Sequence, residues 1–193
     1  MKSWILLLYL TSAISGPIWA YETVDKPARV WLENSYLPAL YGKVLYVGIG
    51  SYTREYHLLT RTPSQFMTLD YDIDKASFGS PYGHYIADLL TFKSEELFDH
   101  VSLFGVMGHP PTVTTSKYNI INEKAISEAF YHADRLVKIG GTLQLGPNHR
   151  DFPGQDASFW IQQFSGYPFD KYDIIFFTSF SDNIVWWGRK IKE

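Results

Sequence analysis

Lys43-Val44-Leu45-Tyr46-Val47-Gly48-Ile49-Gly50-Ser51-Tyr52-Thr53 decides how the rest of the chain is read. A short apolar run ends in Gly-x-Gly. A helix-compatible segment extends from Tyr52 to about Thr60, and Pro63 closes it. The order is strand, glycine turn, helix. Such a turn aims backbone N–H groups and a helix N-terminus at whatever lies above the sheet edge, and glycine admits positive φ and close backbone approach there. A tight turn with no ligand has the same local sequence, so the distinction rests on the residues C-terminal to it.

Those residues are periodic. Lys43–Val47 reads as strand one and Gln65–Asp70 as strand two, which ends in an acid. Tyr85–Ala87 reads as a short strand three, again leading to an acid, Asp88, and then to a short helix from Leu89 to Leu97. His100–Val106 reads as strand four. Asn122 can cap a helix running to about Lys138, with Ile126, Ala129, Phe130, Ala133, Leu136 and Val137 as the stripe that faces a sheet. Gly140-Gly141 would stop that helix before strand five, Thr142–Leu145. A loop from Gly146 to Gln155 leads to a helix at Ala157–Phe164. Tyr172–Phe180 and Ile184–Ile191 read as strands six and seven.

Strands alternating with helices indicate an α/β, doubly wound, Rossmann-like and mostly parallel sheet of seven strands. Only about three residues join the last two strands, too few for a parallel crossover, so they form an antiparallel C-terminal hairpin.

Composition narrows the function classes. The chain of 193 residues carries a net charge of −3 and has no basic run, which predicts no nucleic-acid partner. It has no cysteine, so disulfides, thiolate metal sites and cysteine nucleophiles are excluded. Its six histidines are scattered, with no pair at helical i, i+4 spacing, and no metal site is expected. Residues 1–20 read as a secretory leader: Lys2, an apolar Trp4–Leu10, breakers at Gly16-Pro17, and Ala20 at a cleavage edge. The alternative is an amphipathic helix packed on the domain. The stretch is too interrupted for an integral membrane span. Localisation divides the same way, secretory with a leader and cytoplasmic without one. Residues 21–42 form an N-terminal cap segment, helical in part from Ala28 to Tyr36, and residues 43–193 the main domain.

From Lys43 to Ile191 the chain resembles the class I S-adenosylmethionine-dependent methyltransferases, as a divergent member. Four features carry the resemblance: Val44-Leu45-Tyr46-Val47-Gly48-Ile49-Gly50; Asp70 at the end of strand two; Asp88 after strand three; and Phe98-Asp99-His100-Val101-Ser102-Leu103-Phe104-Gly105-Val106-Met107-Gly108-His109 around strand four. The terminal hairpin matches the family's reversed last strand.

The resemblance implies S-adenosylmethionine as cofactor and a methyl transfer to an unidentified, small-molecule acceptor. Gly48, Gly50, Ser51 and Tyr52 would face the methionine end of the cofactor. Asp70 would accept the ribose hydroxyls, with Asp72 as rival, and Asp88 would meet the adenine amine or serve as a helix cap. His109 is the candidate base or substrate contact, against a purely structural histidine. Asn148 and His149, in the loop after strand five, are candidate substrate contacts, against a plain surface loop. The sequence departs from the family at two positions: Tyr46 stands where an acid is usual, and Tyr52 where a third glycine is frequent. Those two tyrosines keep open a non-catalytic binding or interaction module of the same fold. A third reading, an NAD-dependent oxidoreductase, has Gly48-x-Gly50-x-x-Thr53 and Asp70 in its favour, but lacks the third glycine of the dinucleotide fingerprint. The oligomeric state is not written in the sequence.

Overall fold

The computed structural model describes residues 27–48, 58, 60–70, 83–104, 123–146, 157–166, 168–180 and 184–193, with the side chains of all but 123–128, 157 and 160. Seven strands form one sheet: β1 (Lys43–Val47), β2 (Gln65–Asp70), β3 (His84–Ile86), β4 (Phe98–Phe104), β5 (Val137–Gly146), β6 (Tyr172–Ser179) and β7 (Ile184–Lys190). Their order is β3-β2-β1-β4-β5-β7-β6. Strands β1 to β5 are parallel, whereas β7 runs antiparallel to both β5 and β6. The parallel sheet and the reversed hairpin expected from the sequence are therefore both present. The chain switches direction across the sheet between β1 and β4. In open α/β sheets such a point leaves a crevice beyond the strand C-termini.

Both faces of the central strands are buried: β1 reads as a near-continuous apolar run, and β4 is buried even at His100 and Ser102. On one face Leu45, Leu69, Val101, Leu103, Leu143 and Leu145 pack under the helix α2 (Glu123–Asp134), through its Ala129, Phe130 and Ala133. Trp186 lies in the same core, fully buried, with the rings of Phe169 and Tyr172 within 5.4 Å, centroid to centroid. Gly188 makes room for that indole, since a Cβ there would stand 2.7 Å from the ring.

The opposite face holds Val44, Tyr46 and Phe66 under the N-terminal segment. That segment is a short helix α1 (Pro27–Trp31), a π-helical turn (Leu32–Tyr36) and a 3-10 turn (Leu37–Ala39). Pro27 suits the first helical position, where its missing N–H costs nothing. Trp31 stacks on Phe176 at 4.9 Å, and Tyr36 meets Trp187 edge-on at 5.2 Å.

Several expected boundaries are corrected. Strand three begins one residue earlier, at His84, and strand four two earlier, at Phe98. No helix forms over Leu89–Leu97. The carbonyl of Asp88 accepts N–H bonds from Thr91 and Phe92, closing a single turn. Arg135 then takes the carbonyls of Leu89 and Phe92, and Ser94 Oγ bonds both the N–H and the carbonyl of Glu96. Side chains thus intercept the groups that a helix would use.

The helix expected to reach Lys138 stops at Asp134, and β5 starts at Val137 rather than Thr142. The two glycines do not end a helix; they sit inside the strand at a bulge. There the register with β4 jumps from Phe98↔Val137 to His100↔Thr142. Gly140 takes φ +83°, and a Cβ on Gly141 would lie 2.8 Å from the Asp99 carbonyl. The last helix, α3 (Ala157–Gln163), and strands β6 and β7 end one residue short of the expected points. The helix expected at Tyr52–Thr60 falls largely outside the described residues, as does the Asn122 cap.

Candidate functional site

Hydrogen bonding aligns the C-terminal ends of β1, β2 and β3. The N–H of Gly48 donates to the Leu69 carbonyl (2.7 Å), and the N–H of Ala87 donates to the Asp70 carbonyl (3.0 Å). Gly48, Asp70 and the Ala87–Asp88 step therefore stand side by side where the crevice opens.

Gly48 has φ +69°, in the left-handed region that L side chains rarely adopt, so glycine is required to turn the chain away from β1. Asp70 closes β2 with only 6% of its surface exposed, against its register partner Ile86. Asp88 acts as a turn cap: its Oδ1 accepts the N–H of Leu90 at 2.9 Å. The capping role expected of Asp88 is present without the helix it was expected to cap. Of the remaining sequence-derived site residues, Gly50, Ser51, Tyr52, Asp72, His109, Asn148 and His149 lie outside the described residues.

Tyr46, which stands in place of an acid, is fully buried against the N-terminal segment. It belongs to a polar row that sequence reading passed over, crossing this face one step below the strand ends. Register places Thr68, Tyr46, Ser102, Gln144 and Trp187 alongside one another on five strands. Thr68 Oγ1 and His84 Nδ1 are 2.6 Å apart, and Ser102 Oγ donates to Gln144 Oε1 at 2.8 Å. The Tyr36 hydroxyl stands against Ser102 without closing a well-aligned hydrogen bond, and burial pushes its ionisation well above the ordinary tyrosine range. The signal in the sequence was slight: Ser102 and Gln144 interrupt the apolar strands Val101–Leu103 and Leu143–Leu145.

A second polar pair lies one step lower. His100 Nδ1 and Thr142 Oγ1 are 2.6 Å apart, with the Tyr41 ring edge-on to the imidazole at 5.0 Å. Burial lowers the His100 pKa to about 4, aided by Arg189 and opposed by Asp99. His100 is thus a neutral structural histidine at pH 7. Among the described residues no group of three or more His, Asp or Glu side chains is placed to hold a metal ion, and no helix is long and apolar enough to cross a membrane.

No family model and no curated protein matches this chain in sequence. Solved structures match its fold. The N-methyltransferase NodS of Bradyrhizobium japonicum, solved with S-adenosyl-L-homocysteine, superposes with a TM-score of 0.61 over 87% of this chain and 90% of its own, at 14% identity. The 1,6-didemethyltoxoflavin-N1-methyltransferase of Burkholderia thailandensis, solved with 1,6-didemethyltoxoflavin and S-adenosylhomocysteine, gives 0.59 over 96% and 87%, also at 14%. A putative rRNA methylase of Clostridium thermocellum gives 0.59 over 88% and 100%, at 12%. These likenesses establish the fold, that of the class I S-adenosylmethionine-dependent methyltransferases.

Proposed function

We propose that this chain binds S-adenosylmethionine across the ends of β1, β2 and β3 and directs its methyl group to a small-molecule acceptor. One observation carries the reading. In a sheet of this order, a left-handed glycine ends β1 and a nearly buried carboxylate ends the neighbouring β2. A nucleoside fits that pair, because one carboxylate can accept two vicinal hydroxyls while a glycine turn admits close approach. The cofactor supplies a methyl group already activated on a sulfonium, so the protein's task is binding and alignment.

In this reading Asp70 accepts the ribose hydroxyls, and Asp88 accepts from the adenine amine while its turn holds it in place. Gly48 and Gly50 clear the backbone for the methionine end, flanked by Ser51 and Tyr52. The same reading assigns acceptor contacts to His109, Asn148 and His149. The acceptor class rests on the net charge of −3, which gives a nucleic acid little attraction. The fold alone does not choose it, since one of its solved neighbours is described as an rRNA methylase.

Calorimetric titration of the full chain, and of a chain lacking residues 1–20, with S-adenosylmethionine, S-adenosylhomocysteine and NAD tests the reading. Binding of the first two without NAD supports it; binding of none overturns it. Buried Tyr46 favours a second reading, a binding module without turnover. That reading predicts tight S-adenosylhomocysteine binding and no methyl release with any acceptor.

A further inference from the structure

The polar row contains two buried donors without a protein acceptor. Gln144 is 0% exposed, and its Oε1 is taken by Ser102, yet its Nε2 has no protein acceptor. Trp187, its register partner on β7, buries an indole N–H that also lacks one. Leaving a buried donor unmade costs about 1–3 kcal/mol, so a pair of them on one row is an expensive arrangement for packing alone.

The Gln144 amide is aimed. A Cβ on Gly146, the last residue of β5, would lie 3.0 Å from Gln144 Nε2 and 3.1 Å from Phe104 Cδ2. Gln144 therefore reaches up its own strand to the C-terminal edge, beside the half-buried ring that ends β4. We propose that Gln144 Nε2, supported by Trp187 Nε1, is a hydrogen-bond donor to the methyl acceptor and selects a neutral, flat molecule with a carbonyl oxygen or ring nitrogen. This rests on the function proposed above and extends it to the acceptor's chemistry.

The choice of a neutral group comes from the surroundings. Arg189 pairs with Thr142 rather than with Gln144, one register step below the row, and Asp99 lies lower still on β4. The desolvation that disfavours a tyrosinate at Tyr36 disfavours a bound carboxylate equally. Phe104 supplies the face on which a flat ring can lie. The Ser102 hydroxyl donates to Oε1, and Nε2 lies on the Gly146 side of the amide.

The test uses the full chain, labelled with 15N and saturated with S-adenosylhomocysteine, titrated with benzamide and isoquinoline, with benzylamine as cationic control. The side-chain amide of Gln144 and the indole N–H of Trp187 are expected to shift saturably with the first two probes only. Gln144→Met should weaken both by about tenfold, the scale of one hydrogen bond, while leaving S-adenosylhomocysteine affinity unchanged. Ser102→Ala with Gln144→Met removes both partners of the buried pair and guards against misfolding of the single variant. No shift at Gln144, or probe binding that survives Gln144→Met, overturns the proposal and leaves these donors to internal water only. If S-adenosylhomocysteine does not bind, the proposed function fails separately, and the probes are titrated into the free protein, where the same two outcomes decide.

Discussion

Asp134→Ala should be among the most damaging single substitutions outside the apolar core. Asp134 ends α2 and joins that helix to the reversed hairpin. Tyr172 donates to its Oδ1 at 2.9 Å, Lys171 stands 3.2 Å from Oδ2, and Lys190 stands 3.2 Å from Oδ1. The Lys190 side chain is 2% exposed, and its ammonium also donates to the carbonyls of Asp134 and Val137 at 3.0 and 3.3 Å. Those two carbonyls mark the place where helix gives way to strand. Removing the carboxylate leaves a buried ammonium with backbone carbonyls and the exposed Glu193 as partners. Breaking one side of such a pair costs about 3–5 kcal/mol, which for a chain of this size lowers Tm by roughly 6–20 °C. Lys190→Met removes the charge with its desolvation and should cost far less, about 0–2 kcal/mol, because Asp134 keeps Lys171 and Tyr172. Urea denaturation of the three proteins, with m unchanged, measures both. If Asp134→Ala costs under about 1 kcal/mol, or Lys190→Met costs as much as Asp134→Ala, the buried-charge argument is wrong.

Acid should destabilise the fold in part through His100. Its folded pKa of about 4 lies below the ordinary value of 6.5, so between these values only the unfolded chain binds the proton; its contribution, at most ~3 kcal/mol, is complete above pH 6.5 and lost as pH falls to 4. Stability–pH curves of wild type and His100→Leu should diverge over that window, and parallel curves would refute the assignment. Gly188→Ala places a methyl 2.7 Å from the buried Trp186 ring and should cost about 1–3 kcal/mol by denaturation, with a red shift of tryptophan fluorescence. Asp70→Ala should weaken S-adenosylhomocysteine binding by about 1.5–3 kcal/mol in calorimetry, and unchanged affinity would remove Asp70 from the ribose site.

The sheet was legible because its signals are local. Apolar runs mark the strands, and a connection too short for a crossover forces the final hairpin. Gly48 and Asp70 were expected at the ends of the first two strands from their spacing, and they stand there side by side. What the sequence hid are the features made by tertiary partners. Leu89–Leu97 has a helical composition, but Arg135, some forty residues on, claims two of its carbonyls. Val137–Ile139 continues a helical stripe in sequence; in the fold Lys190 caps the helix end and Phe98 pairs with Val137 in the sheet. Gln144 looked like one polar residue in a strand. Its significance depends on Ser102, Gly146 and Trp187, which no spacing rule connects.

Tyr46 shows how one departure from the family's pattern is tied to another part of the chain. An acid at this position would lie on a face occupied by Leu32, Tyr36, Leu37 and Leu40, with the Trp31 and Trp187 rings at its margin. Burying a carboxylate among those groups without a cation is strongly unfavourable. Tyrosine instead supplies apolar area to the cluster with a hydroxyl that can reach a polar neighbour. The aromatic N-terminal segment and the loss of the acid are thus two halves of one packing solution. On the function proposed above, the methionine end of the cofactor would be met without a carboxylate at position 46. Tyr46→Glu should therefore not restore a better cofactor site. It should loosen the N-terminal segment first, seen as hydrogen exchange across Leu32–Leu40 rising well before any change in S-adenosylhomocysteine affinity. Improved affinity with that segment still protected would show that the two features are independent.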